Sequence, residues 1–355
     1  MLRDRDAIES PEGVVFRVYG YDHPREAYIC DVEYAHESVY RSPEARAVRE
    51  GPRGRYYKFY EDEGLRFVKQ RFPHYTIVHR ALKEVVVAVG RGVGEVRRAD
   101  ERLAELLAAA ADPLVDGLRG LLDLIESQSR LRPRDFGVFG SLQHGFHHPL
   151  YSDIDLVVYG RGALEELRRF LSEAYAAGSS LRNEFEDPPK PRRWRFQSYA
   201  FEEYVQHQRK KLIYGLFKHE GLGRWVKVEF EPVRAWGEVV NEYEEYSDVA
   251  REGMVAIVAR VTDDRDSGFM PSIYPVEVEE VVEGPRSALE VERVVSYVEE
   301  FRLQAAKDDV VFVRGWLERL SGRRELLQVV LTRRERYYEQ VMKVVGLGRN
   351  KNKGG

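Results

Sequence analysis

Phe136-Gly-Val-Phe-Gly-Ser-Leu-Gln-His-Gly-Phe-His-His-Pro-Leu-Tyr-Ser-Asp-Ile-Asp-Leu-Val-Val-Tyr-Gly160 is the segment from which the rest of the chain can be laid out. A short apolar strand ends at Gly140-Ser141, and a loop with Gly145 and Pro149 follows. A second strand opens with Asp153-Ile-Asp155 and stays apolar through Val158. Asp153 and Asp155 are two apart on a strand, so their side chains share a face. Two carboxylates on one face repel unless a cation sits between them. Hard oxygens suit Mg²⁺ or Mn²⁺, which complete their shells with water and substrate phosphates. Gly140 lets a phosphate approach the backbone, and Ser141 offers a hydroxyl and an N–H, with Ser152 beside the carboxylates as a further hydroxyl. The combination describes a pocket for a nucleoside triphosphate with its metal.

On the N-terminal side, Asp112-Pro113 has the chemistry of a helix start, with Asp as cap and Pro in the first turn. Leu114, Leu118, Leu121, Leu122 and Ile125 then recur at helical spacing. On the C-terminal side, residues 162–177 read as a helix with Leu164, Leu167 and Leu171 on one face. Residues 199–218 read as helix, and Trp225-Val-Lys-Val-Glu-Phe-Glu231 as an alternating strand. Before all this, Val14–Gly20 and Glu26–Tyr34 are β-branched and aromatic with turn chemistry between, a hairpin signature. Residues 95–111 read as helix. After residue 253 strand patterns return, with one helix expected at 289–305. The fold class is therefore α+β: a central domain with a mixed sheet and flanking helices, plus N-terminal and C-terminal β-rich parts. The expected boundaries are 1–95, 96–245, 246–340 and a basic, flexible tail at 341–355.

The Gly140-Ser141 pair, the loop-length spacer and Ser152-Asp153-Ile154-Asp155-Leu156 resemble the signature of the DNA polymerase beta nucleotidyltransferase superfamily. That likeness covers about residues 112–233. More loosely, the stretches 16–24, 137–160 and 270–276 resemble an archaeal family of predicted nucleotidyltransferases. The resemblance implies metal-dependent transfer of a nucleoside monophosphate, with AMP from ATP the first choice, to a hydroxyl acceptor, with release of pyrophosphate. Asp153 and Asp155 would then be catalytic and metal-binding. It also implies a third carboxylate on a neighbouring strand. Val226, Val228 and Phe230 share one face of 225–231, which leaves Lys227, Glu229 and Glu231 on the other. Glu229 is the first choice and Glu231 the alternative. Arg209, Lys210 and Lys211 precede that strand and are the expected triphosphate-binding cations. An alternative is a catalytically weak or inactive nucleotide- or RNA-binding protein that retains the fold.

Other features were weighed against these. The formal net charge is −4, so any RNA partner or acceptor must meet a local basic patch, for which Lys190, Arg192, Arg193 and Arg195 around Trp194 are suited. Tyr56, Tyr57 and Tyr60 read as sheet packing rather than a stacking platform. His144, His147 and His148 could hold zinc, though loop hydrogen bonding is the commoner use of such a cluster. Gly90-Arg-Gly-Val-Gly94 has the wrong spacing for a dinucleotide fingerprint. The single cysteine, Cys30, excludes an internal disulfide, and no apolar run reaches membrane length. A cytoplasmic protein without membrane partners is expected.

Overall fold

The computed structural model describes residues 1–80, 83–109, 112–178, 180–322, 324–333 and 336–347. The alternating apolar runs of the N-terminal region become β1 (Ala7–Glu9), β2 (Val14–Val18), β3 (Ala27–His36), β4 (Val48–Gly51), β5 (Gly54–Lys58), β6 (Thr76–Val78), β7 (Val85–Gly90) and β8 (Glu95–Arg97). They form one sheet in the order β4-β5-β3-β2-β1-β8, with β7 on β3 and β6 on β7. The expected hairpin is β2–β3, in which Phe16 lies opposite Val32 and Val18 opposite Cys30. A helix not foreseen here, α1 (Glu63–Arg71), buries Val68. Tyr56 and Tyr57 are buried in β5, as sheet packing requires.

The central region carries α2 (Ala99–Ala108), α3 (Pro113–Gln128), α4 (Gly140–His144) and α5 (Arg161–Ala177). Its strands are β9 (Phe136–Val138), β10 (Ile154–Tyr159), β11 (Leu181–Asn183), β12 (Tyr214–Lys218) and β13 (Trp225–Val233), in the order β11-β12-β13-β10-β9. The sheet is mixed as expected: β10 runs parallel to β13 and antiparallel to β9. Asp112 caps α3, its carboxylate accepting from the Leu114 and Val115 amides, a contribution of about 1 kcal/mol. The Leu/Ile stripe from Leu114 to Ile125 is buried. Residues 95–111 divide into β8 and then α2. Residues 199–218 also divide: α6 (Phe201–Lys211) stops at Leu212, which turns left-handed, and Gly215 and Phe217 then alternate inward on β12.

The third sheet contains β14 (Tyr246–Val261), β15 (Ser272–Glu283), β16 (Arg293–Ser296), β17 (Val310–Gly322), β18 (Leu326–Leu331) and β19 (Val341–Val344). Its order is β14-β15-β16-β18-β17-β19, and β14 also pairs with β17, so five strands close into a barrel. Ile257, Tyr274, Val294, Val313 and Val329 fill it. No α-helix spans 289–305. Val291, Val294, Val295 and Val298 are β-branched, and the segment forms β16 between 3-10 turns at Arg286–Glu290 and Glu299–Phe301. Val341–Val344, expected in the tail, pairs with β17; residues 348–355 of the tail lie outside the described residues.

Two compact units result: 1–182 with 215–243, and 183–214 with 244–355. The first two sheets, expected in separate domains, share the first unit. They are tied by Gln143 Nε2, which donates to the Arg5 and Arg97 carbonyls, and by the buried Arg5–Glu231 ion pair. The change near residue 245 coincides with a unit border, whereas 183–214 joins the barrel.

Candidate active site

Asp153 immediately precedes β10 and Asp155 lies within it, both half-buried. The alternation buries Ile154 and Leu156 on the opposite face. In the parallel β10–β13 ladder Ile154 stands beside Val228 and Asp155 beside Glu229. One step back, the same register brings Asp153 alongside Lys227. Gly140 closes the other side. Its φ is +61°, and a Cβ there would lie 2.6 Å from Asp155 Oδ2. Only glycine meets both conditions. The Phe139 amide donates to the Asp155 carbonyl at 3.1 Å and fixes this approach. Ser141, half-buried, follows directly.

These carboxylates strain against one another. Burial pushes Asp155 up to about 7, with Glu229 and Asp153 adding to the rise and Lys58 and Lys227 opposing it. Asp153 is raised too, first by burial; Lys227 and Arg224 pull it down, and Glu229 pushes it up. The charged forms of Asp153 and Asp155 are thus penalised by burial and by the carboxylates beside them. Among the described residues no group of three or more His, Cys, Asp or Glu side chains is gathered closely enough to hold a metal ion. Asp153 and Asp155 alone would suit an ion such as Mg²⁺ that takes the rest of its shell from phosphates and water.

The loop before Asp153 is pinned rather than loose. The Ser152 hydroxyl accepts from the His148 amide at 2.9 Å, so this serine braces the loop. Arg224 donates to the Pro149 and Ser152 carbonyls. The three histidines go separate ways. His144 is buried against Arg97 and Glu33, His147 pairs with Asp112 at 2.8 Å, and His148 stacks on Tyr151.

The two third-carboxylate choices part company. Glu229 is half-buried beside Asp155, whereas Glu231 is buried and ion-paired with Arg5. Arg209, Lys210 and Lys211 belong to the other compact unit, on α6. Lys211 is fully buried there and donates to the Glu300 carbonyl at 2.7 Å; Arg209 and Lys210 are exposed. Trp194 is also engaged in that unit, donating to the Tyr199 carbonyl and packing on Phe196 and Tyr204. Lys58, from the N-terminal sheet, acts on both aspartates and was not foreseen. No local pattern announces it, because it reaches the site through the pairing of distant strands.

Residues 118–216 match the family model described as a nucleotidyltransferase domain. The match ends before β13, so Glu229 lies beyond it. An uncharacterized protein of the archaeon Methanocaldococcus jannaschii is 25% identical over 352 residues, covering 96% of this chain and 98% of its own length. No solved structure matches the chain. Asp155 on β10, Asp153 just before it and Gly140 all fall inside the segment 118–216 that matches the nucleotidyltransferase domain model, the domain of the DNA polymerase beta type.

Proposed function

We propose that the chain is a metal-dependent nucleotidyltransferase that moves a nucleoside monophosphate, AMP from ATP in the first instance, onto a hydroxyl. The observation that carries this reading is the placement of Asp155 beside Glu229 on parallel strands, with Asp153 just before β10 and Gly140 against Asp155. Asp153, Asp155 and Glu229 would hold Mg²⁺ or Mn²⁺, which when bound neutralises the carboxylates and the phosphates. Gly140, against Asp155, and Ser141 after it would seat the phosphates. The acceptor oxygen bonds to the α-phosphorus as the bond to the bridging oxygen of the β-phosphate breaks, and pyrophosphate leaves. Glu229 takes the acceptor's proton on a carboxylate oxygen and passes it to water.

RNA is the acceptor to test first. The second unit holds a closed five-stranded barrel, an architecture used to bind oligonucleotides. The exposed part of β15 carries Glu277, Glu279, Glu280 and Glu283, so a strand of RNA would favour the exposed cations Lys190, Arg192, Arg193 and Arg195. The experiment is pyrophosphate release from each of the four nucleoside triphosphates with Mg²⁺ or Mn²⁺, with and without RNA. Release by the wild type that disappears in Asp153→Ala and in Asp155→Ala supports the reading. Nucleotide binding that needs both aspartates, with no release under any condition, supports instead a protein that keeps the fold and has lost turnover.

A further inference from the structure

The first sheet and the carboxylates belong to one compact unit, so the face that the sheet lays on the 140–153 segment can be followed residue by residue. Tyr56 of β5 is buried, its ring 4.7 Å from that of Phe146. Lys58 lies two residues on and shares that face. Tyr34 stands opposite Lys58 across the β3–β5 ladder, its ring 5.1 Å from Phe146 and 5.4 Å from His144. Lys58 thus ends a row of aromatic side chains resting on the loop that joins Gly140-Ser141 to Asp153. It is half-buried, and its charge acts on Asp153 and Asp155. Glu33, also within its field, is held by Arg17 at 3.6 Å and His144 at 3.5 Å. Among the described residues no carboxylate forms an ion pair with Lys58.

A half-buried lysine without an ion-pair partner, at the end of a row of side chains that rests on the loop leading to the carboxylates, is placed to meet an anion that arrives with the metal. We propose that Lys58 binds the β- and γ-phosphates of the nucleoside triphosphate, an inference that rests on the nucleotidyl-transfer reading above. The N-terminal sheet then supplies a working part of the site. Lys58 donates up to three hydrogen bonds to phosphate oxygens and offsets the charge that gathers on the departing pyrophosphate.

The test is calorimetric titration with Mn²⁺ and the α,β-methylene analogues of ATP, CTP, GTP and UTP, alongside the matching nucleoside monophosphates. Wild type is compared with Lys58→Ala, Lys58→Arg and, as a surface control, Lys69→Ala. The expected result is triphosphate binding weakened about ten-fold or more by Lys58→Ala, largely restored by Lys58→Arg, with monophosphate binding unchanged. Unweakened triphosphate binding by Lys58→Ala overturns the inference and leaves the nucleotidyl-transfer reading standing. Equal losses for triphosphate and monophosphate also overturn it, since they indicate a structural role. A wild type that binds no triphosphate overturns the reading and the inference together.

Discussion

Two glutamates on one strand illustrate how residue-scale chemistry separates fold from site. Glu231 neutralises Arg5 in the interior, both side chains 1% exposed. Glu231→Ala leaves a buried guanidinium without its partner and is expected to cost about 3–5 kcal/mol. Glu229→Gln removes a repulsion, so thermal unfolding in metal-free buffer is expected to be unchanged or later, while the response to Mn²⁺ is lost. Unfolding scans of both variants, with and without Mn²⁺, check the pair; the reverse pattern would make Glu231 the metal carboxylate. Gly140→Ala forces a side chain into a left-handed position and against Asp155. It is expected to lower stability by roughly 1–2 kcal/mol and to abolish pyrophosphate release. That Asp153 and Asp155 share a face and that the chain turns at Gly140 was legible in the sequence because this geometry is local: a period of two, and a turn. The choice between Glu229 and Glu231 was not, because both sit on the polar side of the alternation. Only Arg5, far away in sequence, distinguishes them.

Among the elements, α6 belongs to the unit of the barrel rather than to that of the strand β13 that follows it. Its basic end precedes β13 with only β12 and a short turn between, yet the helix packs with the barrel, where Gln208 and Lys211 donate to the Glu300 carbonyl. The joint between α6 and β19 depends on His207. Its Nε2 accepts from the Val344 amide at 3.0 Å, so Nδ1 carries the proton and donates to the Glu203 carbonyl at 2.7 Å. Burial holds this imidazole down at about 4, although the Glu203 carbonyl favours the charged form. Between its ordinary value of 6.5 and about 4, the unfolded chain therefore binds a proton that the folded one does not. The stability from this joint is complete above pH 6.5 and is lost as pH falls towards 4, by roughly 3 kcal/mol. Denaturant unfolding of wild type and His207→Gln across that range should show a flatter pH profile for the variant. Parallel profiles would remove His207 as the cause. Most strands and the helices α3 and α5 were readable from periodicity; errors arose where a short element adjoined a longer one, as at β8–α2 and α6–β12, at the unforeseen α1, and at 289–305, where a helix was expected and β16 forms.

For the whole molecule, two compact units imply two separable responses. A metal–nucleotide complex held by Asp153, Asp155 and Glu229 touches the first unit, so it should delay that unit's unfolding by about 2.7 kcal/mol at a hundredfold excess over Kd. Acidification through His207 should act on the second. Hydrogen exchange followed segment by segment, with Mn²⁺ and triphosphate added, is expected to protect 136–160 and 225–233 and leave the interior of the barrel unchanged. Uniform protection of both units would show that they respond as one.

The path of the chain between the units has a consequence for its birth on the ribosome. It leaves the first unit after residue 182, returns at 215 and departs again after 243. In the sheet order β11-β12-β13-β10-β9, the strand in the middle is the last to be synthesised. Until residues 225–233 emerge, β10 presents an open edge and its aspartates lack the neighbouring glutamate. Nascent chains arrested at residue 182 should be unable to retain metal, whereas those carried past 243 have every strand the carboxylates need. Competence is conferred late and at once, by a single strand sliding between two already waiting.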